Sequence, residues 1–214
     1  MQSLKWVPWA GVAAILGGLM AILLTPPFAT AYFLAFPGED PLPFWFEWAE
    51  PRLEPLLTFA AQDVYETYGR IYNIVYVLFL PAAYALHQLH GEFGAPLESR
   101  GFKVVITGLL LTFVGVAGDY WADGAGFGFE VLGLLILGVG MSMYGLALRR
   151  SKVLAMWCAW LFVLCGPGLV VFMLLIGHIP SGPTFPFAVT WLATGGLLLS
   201  QKRPMTPTGS GERA

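Results

Sequence analysis

The stretch EVLGLLILGVGMSMYGLALRRSK, which runs from Glu130 to Lys152, decides the fold class of this chain. Residues 131–148 are uncharged and lie between an acidic residue and the basic run Arg149-Arg150-Ser151-Lys152. An α-helix needs roughly 20 apolar residues to cross the hydrocarbon core of a membrane. Another uncharged apolar stretch begins at Val153. The sequence therefore predicts two neighbouring membrane helices joined by a short basic loop.

The same pattern extends over the whole chain, whose 214 residues are 57% hydrophobic and 11% charged, with a mean hydropathy of +0.70. Soluble domains carry about 25% charged residues. This deficit excludes a disordered chain, a nucleic-acid-binding protein and an ordinary cytosolic enzyme. We expect an all-α integral membrane protein, a six-transmembrane-helix bundle forming one domain over residues 1–200. The uncharged stretches place its helices near residues 7–24, 71–90, 102–119, 127–148, 153–177 and 184–200.

Charged residues divide unequally between the two ends of these helices. Six crossings put both termini on one side, and that side receives nine of the 11 Lys and Arg residues. The other side receives ten of the 13 Asp and Glu residues. Because cytoplasmic loops are enriched in Lys and Arg, this bias predicts a multi-pass protein of the cytoplasmic (plasma) membrane with both termini cytoplasmic. Residues 201–214, rich in Pro, Thr, Gly and Ser, are typical of a disordered cytoplasmic tail.

The first apolar segment allows a second interpretation. Lys5, an apolar run to Leu24 and the small residues Ala29-Thr30-Ala31 are similar to a cleavable signal peptide, whose removal would leave five helices. The apolar run continues through Phe36, which favours an uncut first helix. Pro26-Pro27 is expected to end or kink that helix.

Small residues and prolines predict how the helices pack. Ala10, Ala14 and Gly18 recur every four residues, a spacing that lets a neighbouring backbone approach closely. Pro81 and Pro167 mark expected kinks in the second and fifth helices. The two halves of the chain share no motif, so an inverted repeat of the kind found in some transporters is not supported.

One long connection, residues 37–70, is expected on the outer side of the membrane. It contains the aromatic run Phe44-Trp45-Phe46-Glu47-Trp48, which is typical of the headgroup level. Apolar residues then recur at helical spacing and predict an amphipathic helix lying on the outer membrane face. Those residues are Leu53, Leu56, Leu57, Ala60 and Val64.

A charged stripe that leads into the second helix is the strongest candidate site. Asp63, Glu66, Arg70 and Asn73 are three, four and three residues apart, so they share one helix face. A different face of the same helix carries Tyr65, Tyr68, Tyr72 and Tyr76. The predicted topology adds further polar residues at the outer boundary, namely Asp119, Asp123, Glu130 and His178. Such a cluster under an aromatic lid could bind a cation, a polar metabolite or a quinone headgroup, or could form a solvated, salt-bridged rim.

Roles follow from the chemistry of each side chain. Arg70 would hold an anionic group, Glu66 and Asp119 would accept protons or bind a cation, and His178 would relay protons near neutral pH. His87 and His90 lie at the opposite end of the second helix, where they suit a helix C-terminus better than a metal. The sequence predicts no metal site and identifies no cofactor.

Three hypotheses of function remain. The chain contains no Gly-x-Ser-x-Gly elbow, no HExxH and no phosphate-binding loop. The first hypothesis is therefore a non-enzymatic accessory or structural subunit, or a membrane sensor. The second is a small transporter or binder of a polar metabolite or cation that uses the outer-face cluster, and the third is an intramembrane enzyme acting on a lipid or quinone. Expected partners are the lipid bilayer and a membrane-protein partner or second copy (a homo-oligomer), and no nucleic acid.

Overall fold

The computed structural model describes residues 5–38, 41–57, 61–90, 96–122, 124–152 and 154–200, and within these residues the chain is helical without a strand. A 3-10 turn, Glu54–Leu56, follows the second helix. The helices are α1 (Val7–Ala35), α2 (Phe46–Leu53), α3 (Ala61–His90), α4 (Pro96–Trp121), α5 (Phe127–Ser151), α6 (Met156–Ile176) and α7 (Ser181–Ser200). Five of them, α1, α3, α4, α5 and α6, are long and apolar enough to cross a membrane. The chain is therefore a helical protein of the multi-pass membrane type.

The six long helices form a closed circle. α1 packs on α3, each helix from α3 to α6 packs on the next one along the chain, and α7 packs back on α1. The end where α1, α4 and α6 finish and α3, α5 and α7 begin carries α2, and we call it the α2 end. The opposite end, called the basic end, carries Arg100, Lys103, Arg149, Arg150 and Lys152.

Glycines allow the closest approach in this circle, which is that of α4 to α5. Gly101, Gly108 and Gly115 are seven residues apart on α4. Gly126, just before α5, and Gly133 and Gly140 within it repeat the spacing. A Cβ added at Gly108 would lie 2.6 Å from the Cα of Leu137, and one at Gly115 would overlap the backbone of Glu130. Two helix backbones in contact at this spacing require residues without side chains.

The close packing predicted for α1 is confirmed. Ala10, Ala14 and Gly18 are all buried. A Cβ at Gly18 would lie 2.7 Å from the carbonyl oxygen of Ala188, which places α7 directly against α1. The small-residue face of α1 is therefore the surface that closes the circle.

α7 is uncharged, but it carries hydroxyl side chains in the interior of the protein. Its buried face contains Thr184, Thr190 and Thr194. The hydroxyls of Thr190 and Thr194 donate to carbonyls one turn earlier, at 2.8 Å each. This threonine content lowers the hydropathy of α7, so the helix predicted at 184–200 forms but does not count among the five apolar spans.

Several helices extend beyond the predicted apolar stretches. α1 continues through Pro26 and Pro27 to Ala35 instead of ending near residue 24, and the Thr30 hydroxyl donates to the Pro26 carbonyl at 2.9 Å. α3 begins at Ala61 rather than residue 71, and α4 begins at Pro96 rather than residue 102. The charged residues that end an apolar stretch lie in these added turns, where long side chains can reach water or a partner.

The helix in the long connection lies earlier than predicted. α2 is built from the aromatic run, whereas Leu56 falls in the 3-10 turn and is exposed, and Val64 belongs to α3. The indole N–H of Trp45 donates to the Leu175 carbonyl at 3.0 Å, which ties the start of α2 to the end of α6. The prediction of an amphipathic helix through residues 53–64 is therefore wrong. The predicted tail, residues 201–214, lies outside the described residues.

α6 runs unbroken through the Gly166-Pro167-Gly168 segment. Proline has no N–H to donate to the carbonyl one turn earlier, which is that of Val163. The Ser142 hydroxyl of α5 donates to that carbonyl at 2.9 Å and accepts from the Gly166 N–H at 3.1 Å. A side chain from the neighbouring helix thus supplies the donor that the proline lacks.

Candidate functional site

A cavity of about 370 Å³ opens at the α2 end of the circle. α3 and α4 supply its acidic residues, because α3 starts and α4 finishes there, and the end of α1 adds two of its aromatic rings. The lining residues are Tyr32, Phe36, Gln62, Tyr65, Glu66, Asp119, Tyr120 and Gly124. Two carboxylates and three tyrosines therefore share one small space.

A pair of tyrosines forms the inner wall of the cavity. The hydroxyl oxygens of Tyr65 and Tyr120 lie 2.9 Å apart, so α3 and α4 are hydrogen bonded through their side chains. Gly69 lies one turn after Tyr65, and a Cβ there would overlap the Tyr120 ring. The absence of a side chain at Gly69 is what admits Tyr120 to the site.

Arg70 fastens the outer edge of the same two helices. Its Nε donates to the Tyr120 carbonyl at 2.9 Å, and its Nη2 donates to Oε2 of Glu66 at 2.9 Å. The guanidinium lies 5.1 Å from the ring centroid of Trp121. The side chains of Arg70 and Glu66 are 41% and 37% exposed, so the ion pair itself adds about 0.5 kcal/mol at most in solvent. The main role of Arg70 is therefore to position the backbone of Tyr120, and its ion pair contributes little to stability.

His178 lies behind the aromatic wall, in the connection between α6 and α7. Its Nδ1 is 2.8 Å from the Ser181 hydroxyl and its Nε2 is 3.5 Å from the Tyr65 hydroxyl. The rings of Phe28 and Tyr32 lie 4.7 and 4.8 Å from the imidazole, centroid to centroid. Burial in this apolar setting lowers the pKa of His178 from 6.5 to about 3. The imidazole is therefore neutral at pH 7 and adds no positive charge to the site.

Glu130 is the most enclosed acid at the α2 end, with 0% of its surface exposed. Neither of its carboxyl oxygens has a hydrogen-bond partner among the described residues. Gly115 faces its backbone across the α4–α5 contact, and this close approach draws the first turn of α5 into the interior. The carboxyl interacts electrostatically with Asp119, which lines the cavity.

The structure brings some of the predicted site residues together and separates others. Glu66 and Asp119 line the cavity, Arg70 borders it, and Glu130 and His178 lie buried behind its wall. Asp63 is exposed on α3 and does not line the cavity. Asn73 is buried further along α3, and its side-chain oxygen has no partner among the described residues. Asp123 lies outside the described residues.

Sequence reasoning missed the aromatic part of the site. Of the lining residues, Tyr32, Phe36, Gln62, Tyr65 and Tyr120 were not among the candidates. The sequence did contain a signal for Tyr65, because its spacing places it on the same helix face as Tyr72 and Tyr76. In the structure Tyr72 and Tyr76 are fully buried. The tyrosine face of α3, rather than the charged face beside it, points into the protein.

The basic end has its own polar cluster, built by the end of α3 and the start of α4. Nδ1 of His87 lies 2.8 Å from Oε1 of Glu98, and the His87 ring stacks on Phe102 with centroids 4.0 Å apart. The Ser151 hydroxyl lies 3.4 Å from Nδ1 of His90. His87 and His90 are in the last turn of α3, as predicted, but the sequence did not indicate that Glu98 would join them.

The chemistry available at the α2 end favours a cation. Aromatic rings attract cations through their electron-rich faces, and carboxylates supply compensating charge. Among the described residues, no three His, Cys, Asp or Glu side chains are grouped to hold a metal ion. The two thiols, Cys158 and Cys165, are buried within the helix bundle and lie near Thr194 and Thr190.

Comparison with known proteins adds no further constraint. No protein-family model, no curated protein and no solved structure matches this chain. The geometry of the site is therefore the basis for the function proposed below.

Proposed function

We propose that this protein binds a small organic cation, of the quaternary ammonium or protonated amine class, in the cavity at its α2 end. One observation carries the proposal: the carboxylates of Glu66 and Asp119 share a cavity of about 370 Å³ with the rings of Tyr32, Tyr65 and Tyr120. An aromatic enclosure with acidic groups is the usual chemistry for binding a quaternary ammonium ion. This is the second hypothesis from the sequence, made specific for the ligand class.

The charges around the cavity assign different roles to its two carboxylates. Arg70 forms an ion pair with Glu66 at 2.9 Å, so that carboxylate is already compensated. Among the described residues no cationic side chain pairs with Asp119. Asp119 therefore supplies the negative charge for the ligand, while Arg70 and Glu66 hold α3 against the end of α4.

The proposed membrane topology decides to which side of the membrane the cavity opens. We propose six crossings in the cytoplasmic membrane, with α7 as the sixth, both termini cytoplasmic and the α2 end outside. Arg149, Arg150 and Lys152 at the basic end support this orientation, because cytoplasmic loops are rich in basic residues. The uncharged α7 supports the sixth crossing, since its threonine face is covered by the other helices. The ligand would then enter from outside the cell.

Calorimetric titration of the detergent-purified protein with choline, and with its uncharged carbon isostere dimethylbutanol, tests the binding proposal. We expect choline to bind more tightly than the isostere, because the two differ in charge and hardly in shape. Asp119→Asn should weaken choline binding about tenfold, equivalent to about 1.4 kcal/mol, and leave the isostere unaffected.

Glu54→Gln is the control, because Glu54 is an exposed acid at the same end of the molecule and does not line the cavity. Its choline affinity should equal that of the unmodified protein. Equal affinity for choline and its isostere, or an undiminished affinity in Asp119→Asn, would show that the cavity does not select a cation.

A further inference from the structure

Glu130 lacks the partners that a buried acid ordinarily has. It is fully buried in the first turn of α5, and both carboxyl oxygens are without a hydrogen-bond partner among the described residues. It does not cap α5, because neither carboxyl oxygen accepts a backbone N–H among the described residues. An ionised carboxylate in such a place is costly unless a cation or a proton compensates it.

The groups that face Glu130 from the neighbouring helices are acidic or neutral. Asp119 and Tyr120 interact with it from α4, and Tyr65, Tyr72 and Tyr76 interact with it from α3. α6, the other helix packed on α5, brings no Lys, Arg or His, and its titratable groups are two thiols. Among the described residues, no basic side chain is therefore available to compensate the charge.

Glu130 is linked to the cavity through the residues that line it. Three of the five groups that interact with it, namely Asp119, Tyr120 and Tyr65, also line the cavity. A cation seated there would face both Asp119 and, behind the tyrosine pair, Glu130. The Tyr65 and Tyr120 hydroxyls lie 2.9 Å apart, and each hydroxyl can both donate and accept a hydrogen bond.

We propose that Glu130 holds a proton while the cavity is empty and releases it when an organic cation binds, so that one cation is exchanged for one proton. This inference rests on the proposed function. The O–H bond of the carboxyl breaks, the proton leaves to water that enters from the cavity, and the electron pair stays on the carboxylate. The net charge of the site is the same before and after, because the cation replaces the proton.

The test is the pH dependence of choline affinity in the full-length protein, measured together with proton release into a weakly buffered solution containing an indicator dye. Where Glu130 is protonated in the empty protein, affinity should rise about tenfold per pH unit, and up to one proton should appear per choline bound. Wherever Asp119 is ionised, Glu130→Gln should bind with a flat pH profile at the weak affinity of the protein in which Glu130 is protonated. Glu54→Gln, an exposed acid changed in the same way, should keep the slope.

Each outcome has a definite meaning. Choline binding without proton release, or a slope that persists in Glu130→Gln, overturns the exchange and leaves the binding function standing. A protein that binds no choline at any pH overturns both.

Infrared spectroscopy of the cation-free protein tests the protonated state without any ligand. We expect a carbonyl stretch of a protonated carboxylic acid that disappears in Glu130→Gln and remains in Glu54→Gln. The presence of that band supports the protonated carboxyl, and its absence from the unmodified protein overturns the exchange even if choline binds.

Discussion

Glu98 and Glu130 are both buried acids near the starts of consecutive helices, but among the described residues Glu98 has a hydrogen-bond partner and Glu130 has none. Glu98, 3% exposed at the basic end, lies 2.8 Å from Nδ1 of His87 and interacts with Tyr144. Glu130, 0% exposed at the α2 end, has no hydrogen-bond partner among the described residues. A buried acid with a histidine partner serves the fold, whereas a buried acid without one costs stability. The fold therefore gives no structural reason for an acid at this position, which is why we looked for a functional one at the α2 end.

The depth of Glu130 depends on the glycine opposite it, and removing that glycine should have the largest effect. Gly115→Ala would place a Cβ into the backbone of Glu130, so we expect a loss of about 3 kcal/mol in the free energy of unfolding. Gly128→Ala is the matched control on α5, because nothing lies within 4 Å of its added Cβ. It should be neutral or stabilise the helix by up to about 1 kcal/mol. Denaturation in mixed detergent micelles measures both, and equal stability of the two variants would contradict the close approach.

Neutralising each of the two acids in turn tests the comparison directly. Glu98→Gln removes a charge-assisted contact to His87 and should cost about 2 kcal/mol of unfolding free energy. Glu130→Gln removes no hydrogen bond and should change the same quantity by less than about 0.5 kcal/mol. The same denaturation assay checks the pair. An equal loss in both variants would mean that Glu130 has a structural partner after all.

The smallest of these expected effects is the loss of unfolding free energy at acid pH that His178 causes. The pKa of His178 is lowered by burial to about 3, against 6.5 for the free group, so the unfolded chain binds the proton more readily. The stability from this group is complete above pH 6.5 and is lost as pH falls towards 3. Between pH 6 and pH 5 we expect a loss of about 1 kcal/mol.

His178→Gln should not show this loss of stability between pH 6 and pH 5, because glutamine can keep the contact to Ser181 but does not titrate in this range. The comparison of the two proteins at each pH cancels contributions from other acids. An identical pH dependence of stability in the two proteins would show that His178 is not buried as a neutral imidazole.

The class of fold could be predicted because membrane helices are recognisable in a sequence as long uncharged stretches. Residues 131–148 are sufficient to predict α5, and the same reasoning found the other long helices. The helix boundaries could not be found in this way, because Arg70 and Glu98 interrupt the apolar stretches without ending the helices. Hydropathy measures where lipid contact ends, whereas a helix continues as long as its polar side chains find water or partners.

The candidate site was only half predictable, for a related reason. Glu66, Arg70 and Asp119 stand out because charges are rare in this sequence, and the structure places them around one cavity. Tyr65 and Tyr120 do not stand out, because aromatic residues serve equally well in helix packing. Their pairing depends on Gly69, a single residue whose importance appears only once α4 is seen against it.

The contact between α1 and α7 has a consequence for how the protein is made. α1 is synthesised before α7, yet its small-residue face is covered only when α7 arrives. α7 in turn is not among the five apolar spans, and Thr184, Thr190 and Thr194 lie on its buried face. The contact between the two helices therefore forms only after α3, α4, α5 and α6 have been made. Insertion of α7 is therefore the step that closes the circle of helices.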